Sequence, residues 1–290
     1  MHDECLLFLH IPKTGGTSLT TAIRWQYRRI PRSRIIRFDA LSKPPDEIER
    51  IPLEVRSRAR LVMGHFYYGI HDHIPQGCSY VTLLREPVAR VISRYKHIVR
   101  NPSDHFHDLV TRSHMSLEDY ARSDFDSNQL ENGQTRQLAG IWPDNTDDDA
   151  LATAKANLSG FLAVGLVERF DESLALFRSL LGWGTPVYLK RNFEARTTVT
   201  VSTRAVELIQ ERNRQDLELY RYAQERFAQL VEEAGRSFGR QLRTLKVTNR
   251  IANAVAAPTW PIVGRIVGTD LGTPGQRWRA RGTGPATRRP

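Results

Sequence analysis

Residues 10–18 read His-Ile-Pro-Lys-Thr-Gly-Gly-Thr-Ser, directly behind the apolar run Leu6-Leu7-Phe8-Leu9 and at the head of an amphipathic segment. This is the order of a buried strand that turns through paired glycines, Gly15 and Gly16, into a helix start. Such a turn presents backbone N–H groups and the positive end of the helix dipole to an anion. Lys13 adds a point charge and Thr14, Thr17 and Ser18 add hydroxyl donors, so the chemistry on offer is the holding of a phosphate-like group. The lysine precedes the glycines. A nucleotide triphosphatase loop, G-x-x-x-x-G-K-[ST], places it after them, beside a hydroxyl that holds magnesium. The sequence shows no separate strand ending in a Walker-B-type aspartate, and an adenylate carrying phosphate and sulfate fits the order better than ATP.

A second arrangement follows at Tyr80-Val-Thr-Leu-Leu-Arg85-Glu-Pro87-Val-Ala-Arg-Val-Ile-Ser93-Arg-Tyr95. Val81 to Leu84 has the length of a buried parallel strand, and Pro87 stands where a helix favours proline, at its first position. Val88, Val91, Ile92, Tyr95 and Ile98 recur at helical spacing, which puts Ser93 roughly six residues, or about 9 Å, past the helix start. Arg85 and Ser93 are then candidates to grip one phosphate from two sides. The competing reading pairs Arg85 with Glu86 or a helix end and leaves Ser93 a solvated hydroxyl.

Together these two motifs, in this order and spacing, resemble the 5′-phosphosulfate and 3′-phosphate motifs of the sulfotransferases that use 3′-phosphoadenosine-5′-phosphosulfate (PAPS). The resemblance is to the carbohydrate branch related to heparan sulfate 2-O-sulfotransferase and covers roughly residues 5–235. It implies an α/β, P-loop-containing three-layer fold with a central parallel sheet flanked by helices. It implies PAPS as co-substrate, no metal, and a hydroxyl-bearing acceptor, carbohydrate or glycoconjugate. In that family a Gly-His pair at a strand end supplies the catalytic base, and Gly64-His65, closing Leu61-Val-Met-Gly-His-Phe, matches it. An acceptor hydroxyl must lose its proton as it attacks, and imidazole titrates close to neutral pH. Lys13 is the residue expected to neutralise charge on the leaving phosphate oxygen. Among Lys190, Arg191 and Arg196, Arg196 is the choice for a further contact to the adenine or 3′-phosphate, on a looser alignment.

The elements that must position these groups alternate strand and helix through the chain, without internal repeats. That favours one sulfotransferase domain over residues 1–240, followed by a basic extension over 241–290 whose end lacks the apolar content to order itself. The net charge of +10 is concentrated there: from Arg240 onward ten Lys/Arg face the single acid Asp270, leaving +1 for residues 1–239. Such an extension suits an anionic surface; no base-reading motif points to specific nucleic acid. Residues 251–267 are moderately apolar but hold Pro258 and Pro261, an interruption that argues against a bilayer span. Phe161 to Leu166 reads as another buried strand, Phe170 to Leu181 as a helix stopped by Gly182, and Ala205 to Ala234 as one or two packed helices.

Residues 100–150 read as an acceptor-facing insertion, in which Gln134 to Gly140 resembles a short helix lining the cleft in related bacterial members. His71-Asp-His73 and His105-Phe-His107 alternate like metal ligands, yet no cysteine or carboxylate set completes a zinc site. His10 reads as a residue that shapes the strand end rather than one that exchanges protons. Cys5 and Cys78 are expected to be reduced, and the lack of an apolar leader before Cys5 sets the expectation of a cytoplasmic, bacterial enzyme. A rival from another class is a P-loop kinase or nucleotide-binding regulator that uses magnesium-ATP.

Overall fold

The computed structural model describes residues 4–42, 47–141, 149–188 and 198–270, with side chains through residue 38 in the second strand and through residue 254 in the last helix. Five strands form one sheet: β1 (Cys5–Leu9), β2 (Ile35–Ser42), β3 (Leu61–Phe66), β4 (Cys78–Leu84) and β5 (Ala163–Leu166). Their order is β2-β3-β1-β4-β5, and all four pairings are parallel. Helices flank the sheet as parallel crossovers demand, so the inner strand β1 is buried on both faces and reads as a continuous apolar run, while edge strand β2 exposes Arg37 between buried Ile36 and Phe38. Every residue of β1 and β5 is buried. The expected α/β architecture is what the chain forms.

After β1 come α1 (Gly16–Gln26), then α2 (Leu53–Arg56) ahead of β3, and α3 (Pro87–Arg100) behind β4. Pro87 opens α3, and the Glu86 carboxylate caps it by accepting from the N–H groups of Val88 and Ala89 at 3.1 and 2.7 Å. Glu86 is therefore engaged at the start of its own helix. The insertion folds into four short helices, α4 (His107–Arg112), α5 (Leu117–Arg122), α6 (Ser127–Leu130) and α7 (Gly133–Ala139). The chain continues through α8 (Ala150–Ser159), β5, α9 (Phe170–Leu181), α10 (Thr203–Arg212), α11 (Arg214–Glu233) and α12 (Gly235–Asp270). Gly182, at φ 62°, stops α9 as its position suggested.

A second apolar cluster, smaller than the one along the sheet, holds the insertion: Val91, Tyr95 and Ile98 of α3 pack with Val110, Leu117, Tyr120, Leu130 and Ile209. Residue 240 lies inside α12, where Leu245 and Asn249 are buried; Asn249 accepts from the Tyr188 N–H at 2.7 Å and donates to Pro186 O at 3.0 Å. Pro258 and Pro261 fall within this helix rather than ending it. No helix among the described residues is long and apolar enough to cross a membrane.

Two charged networks fix the insertion on α3. Arg90 and Asp216 are fully buried, with Arg90 Nη2 donating to Gln129 O at 2.7 Å and lying 3.6 Å from Asp216 Oδ2. Asp216, on α11, also accepts from the N–H groups of Gln134 and Thr135 and from the Thr135 hydroxyl, at 3.2, 2.7 and 2.8 Å. It caps α7 from another helix. One turn along α3, Arg94 donates to Asp126 at 2.8 Å and pairs with Asp104, while the Tyr120 hydroxyl donates to Asp126 at 2.7 Å. Asp216→Ala strands a buried guanidinium and three donors, so it is expected to lower stability by about 3–5 kcal/mol in urea unfolding. A change below about 1 kcal/mol would show that water reaches and solvates Arg90.

Candidate active site

The site assembles at the carboxyl ends of three neighbouring strands. Leu9 of β1 is in register with Gly64 of β3 on one side and with Thr82 of β4 on the other. The loop after β1, His65 at the end of β3 and Arg85 just past β4 therefore open onto one crevice, where ligands of open α/β sheets bind. Gly15 takes the left-handed conformation at φ 71° to start α1, and no side chain caps the helix. Its first N–H groups have no intrahelical acceptor. Lys13 is also left-handed, at φ 68°, a conformation costing a non-glycine residue on the order of 1 kcal/mol and clustering at ligand-holding loops. Thr17 is exposed and Ser18 half-buried beside these N–H groups. The donor set of amides, hydroxyls and an ammonium is that of an anion cradle.

Thr14 has a partner within the loop. It is buried and its hydroxyl donates to Ile11 O at 2.8 Å, because a buried hydroxyl must find an acceptor. That bond braces the loop around Lys13.

Arg85 joins the two motifs physically, its Nη1 donating to Lys13 O at 3.3 Å. Ser93 lies half-buried on α3, and among the described residues its hydroxyl makes no hydrogen bond. His97, one turn further on the same face, is pushed down to about 4, first by burial and then by the charge of Lys13. That coupling places the Ser93 and His97 face of α3 within the field of the β1 loop. Arg196 lies outside the described residues.

His65 is held by a carbonyl. Its Nδ1 stands 2.8 Å from His10 O; a carbonyl only accepts, so Nδ1 carries the proton and the neutral ring has its basic lone pair on Nε2. The His10 ring stacks on His65 with centroids 4.2 Å apart. On the other side it leaves no room at Gly16, where a Cβ would sit 1.6 Å from His10 Nε2. Gly16 is thus required by space and Gly15 by its dihedral. Gly64 is required by both: φ is 132°, and a Cβ would meet Phe38 O at 2.0 Å, where the β2–β3 register shifts. Burial, followed by the charges of His65 and Lys13, holds the His10 imidazole well below its ordinary value, so it stays neutral.

Two residues of the helix that the sequence placed along the cleft organise the crevice. Gln134 and Gln137 of α7 are buried three residues apart. Gln134 clasps the Arg85 backbone, accepting from its N–H at 3.0 Å and donating to its carbonyl at 2.8 Å. Gln137 Nε2 donates to Phe66 O at 2.9 Å and to His10 O at 3.2 Å. Their spacing on one helical face was a visible signal; what they bind was not. His71 and His73 lie on a short 3₁₀ turn, where His71 meets the Tyr80 hydroxyl at 3.0 Å. No group of three metal-ligating side chains occurs among the described residues.

The depressed histidines make a pH prediction. Between the ordinary value of 6.5 and about 4 the folded state binds fewer protons at His97 than the unfolded chain does, so stability falls as pH drops through that window. His97→Gln removes this contribution, and melting temperatures taken from pH 7 to 4 should decline less steeply than in the wild type. Parallel declines would assign the acid sensitivity elsewhere.

Comparison with known proteins extends this geometry. The family model of galactose-3-O-sulfotransferases matches residues 56–256, which include His65, Arg85, Ser93 and α7. Heparan-sulfate 6-O-sulfotransferase 2 of Danio rerio is 27% identical over 312 residues, a match covering 89% of this chain and 65% of that protein. The chain thus spans somewhat less than two thirds of that relative's length. A crystal structure of a mouse sulfotransferase complexed with PAP aligns over 73% of this chain and 64% of its own, at 15% identity and a TM-score of 0.34. With residues 56–256, the greater part of its length, matched, and β1, its loop and α1 ahead of the matched range, the chain belongs to the galactose-3-O-sulfotransferase family.

Proposed function

We propose that the protein transfers a sulfuryl group from PAPS to a hydroxyl of a carbohydrate acceptor. The observation that carries the reading is the fixed tautomer of His65, whose basic Nε2 belongs to the same crevice as an uncapped helix start with a left-handed lysine. PAPS supplies an electrophilic sulfur bonded to a phosphate group that departs as adenosine 3′,5′-bisphosphate. His65 Nε2 takes the acceptor hydroxyl proton as the oxygen bonds to sulfur, and the His10 carbonyl stabilises the imidazolium through Nδ1. Lys13 neutralises charge on the departing phosphate oxygen, supported by the N–H groups of Gly15, Gly16 and Thr17 and the Ser18 hydroxyl. Arg85 and Ser93 hold the 3′-phosphate, with Arg196 as a further contact. The donor set asks for no metal, because the charge it must offset is met by N–H groups, hydroxyls and cations of the chain itself.

Calorimetric titration with adenosine 3′,5′-bisphosphate in EDTA, beside ATP with magnesium, tests the donor and the division of roles together. Metal-free binding in the micromolar range that excludes ATP is expected. Lys13→Ala should weaken that binding about tenfold or more, since a charge-assisted contact is lost. His65→Ala should leave it within about twofold while lowering turnover by ~10²–10⁴. Equal loss of nucleotide binding in both variants would overturn the assignment, and a preference for magnesium-ATP would overturn the donor.

A further inference from the structure

The end of the sheet opposite the active site carries an arginine-rich surface. Between Glu4 and Asp39 the chain has no carboxylate, yet it holds Lys13 and six arginines at 24, 28, 29, 32, 34 and 37. Helix α1 runs back from the crevice for 11 residues, or about 16 Å, and delivers most of these arginines to the amino ends of the strands. Gln26 Nε2 there reaches Gly184 O at 3.3 Å. The Arg60 N–H donates to Arg34 O at 2.9 Å, which brings Arg58, just before β3, alongside the start of β2. Arg29, Arg32, Arg34 and Arg58 are all exposed, and their side chains take part in no ion pair among the described residues. Glu54 on α2 is the one acid carried by α1, the 3₁₀ turn Arg32–Arg34 and α2 together.

Amid these charges Trp25 is 54% exposed. The Arg28 guanidinium lies 4.4 Å over its ring and donates to Trp25 O at 2.7 Å, pinning the indole in place. The surface therefore offers a fixed apolar ring within a set of planar cationic forks.

We propose that this surface is an exosite for a sulfated polysaccharide, separate from the catalytic crevice. The choice of a sugar chain rests on the sulfotransferase reading; the anion specificity rests on the surface alone. Arginine forks match the oxygens of a sulfate ester two at a time, whereas a diffuse attraction to a charged bilayer uses lysine as readily. All the cations here are arginines. A bilayer would also draw on a ring free to insert, and Trp25 is held under Arg28. Single-stranded nucleic acid is gripped by successive aromatic platforms, and this surface has one exposed ring with one face covered. An anionic chain lying here would relieve the mutual repulsion of the arginines and stack a sugar face against the open side of the indole.

Fluorescence anisotropy of the full chain with a labelled heparin-derived decasaccharide tests this, with its desulfated counterpart, a single-stranded RNA of equal charge and phosphatidylserine vesicles as comparisons. The sulfated decasaccharide is expected to bind wild type and Lys13→Ala alike, and to bind the triple variant R29A/R32A/R34A at least tenfold more weakly. Nucleotide binding in that variant should match wild type. R29K/R32K/R34K, which keeps the charge and loses the forks, should recover less than half of the lost affinity on a logarithmic scale. Unchanged decasaccharide binding in the alanine variant would overturn the exosite, and so would full recovery by lysine. A stronger arginine dependence for RNA or for vesicles would replace the proposed occupant. Loss of nucleotide binding by the wild type, with the decasaccharide result intact, would remove the PAPS reading and leave the anion surface standing.

Discussion

The carboxyl ends of parallel strands are where a sheet runs out of partners, and this structure is built around the polar groups stranded there. Past Leu9, Phe66 and Leu84 the backbone continues into buried surroundings, where an unpaired carbonyl or N–H costs about as much as a lost hydrogen bond. Helix α7 meets that demand with two amides: Gln134 closes both backbone groups of Arg85, and Gln137 takes the carbonyls of His10 and Phe66. The same His10 carbonyl then accepts from His65. Satisfying the strand ends and orienting the candidate base are thus one piece of work. Because α7 is capped by Asp216 and Asp216 lies beside Arg90, the position of the crevice reaches back to a wholly buried ion pair.

The electrostatics of the crevice follow from this packing. Lys13 and Arg85 meet at the β1 loop, and His10 and His97 are held neutral chiefly by burial, with the charge of Lys13 adding to it. A cationic surround of this kind favours an anionic guest and keeps nearby imidazoles in their uncharged, hydrogen-bonding form. The strain at Lys13 belongs to the same account, since a left-handed lysine is tolerated where the loop around it is over-determined. Here Thr14 on Ile11, Arg85 on Lys13 and Gly16 beneath His10 supply that over-determination.

Much of this was legible in the residue order. Apolar runs of strand length, paired glycines, Pro87 behind Arg85 and Gly182 behind an amphipathic stretch each fix a local conformation, because sterics and helix-end geometry act over a few residues. The β1 loop, α3, α9 and the pairing of strand ends with chemistry-bearing side chains could therefore be read directly. Edge strand β2 went unread although Ile36-Arg37-Phe38-Asp39-Ala40 alternates, because Arg37, which faces solvent on this edge strand, breaks the continuous apolar run by which the buried strands were found. The Thr14 hydroxyl bond to Ile11 O was not legible either, because a hydroxyl in a loop reads the same whether it faces a ligand or its own backbone.

Sequence by itself determined that a glycine turn follows the first strand and opens a helix, that a Gly-His pair ends another strand, and that the chain is α/β. Tertiary structure alone decided that Leu9 lies between Gly64 and Thr82, which turns three distant segments into one crevice. It also decided the protonated nitrogen of His65, the roles of Gln134 and Gln137, and the gathering of arginines from α1, β2 and the approach to β3 at the far end of the sheet. The division has a physical cause: dihedral preference and periodicity are carried by neighbours in sequence, while hydrogen-bond partners and fields come from groups tens of residues away.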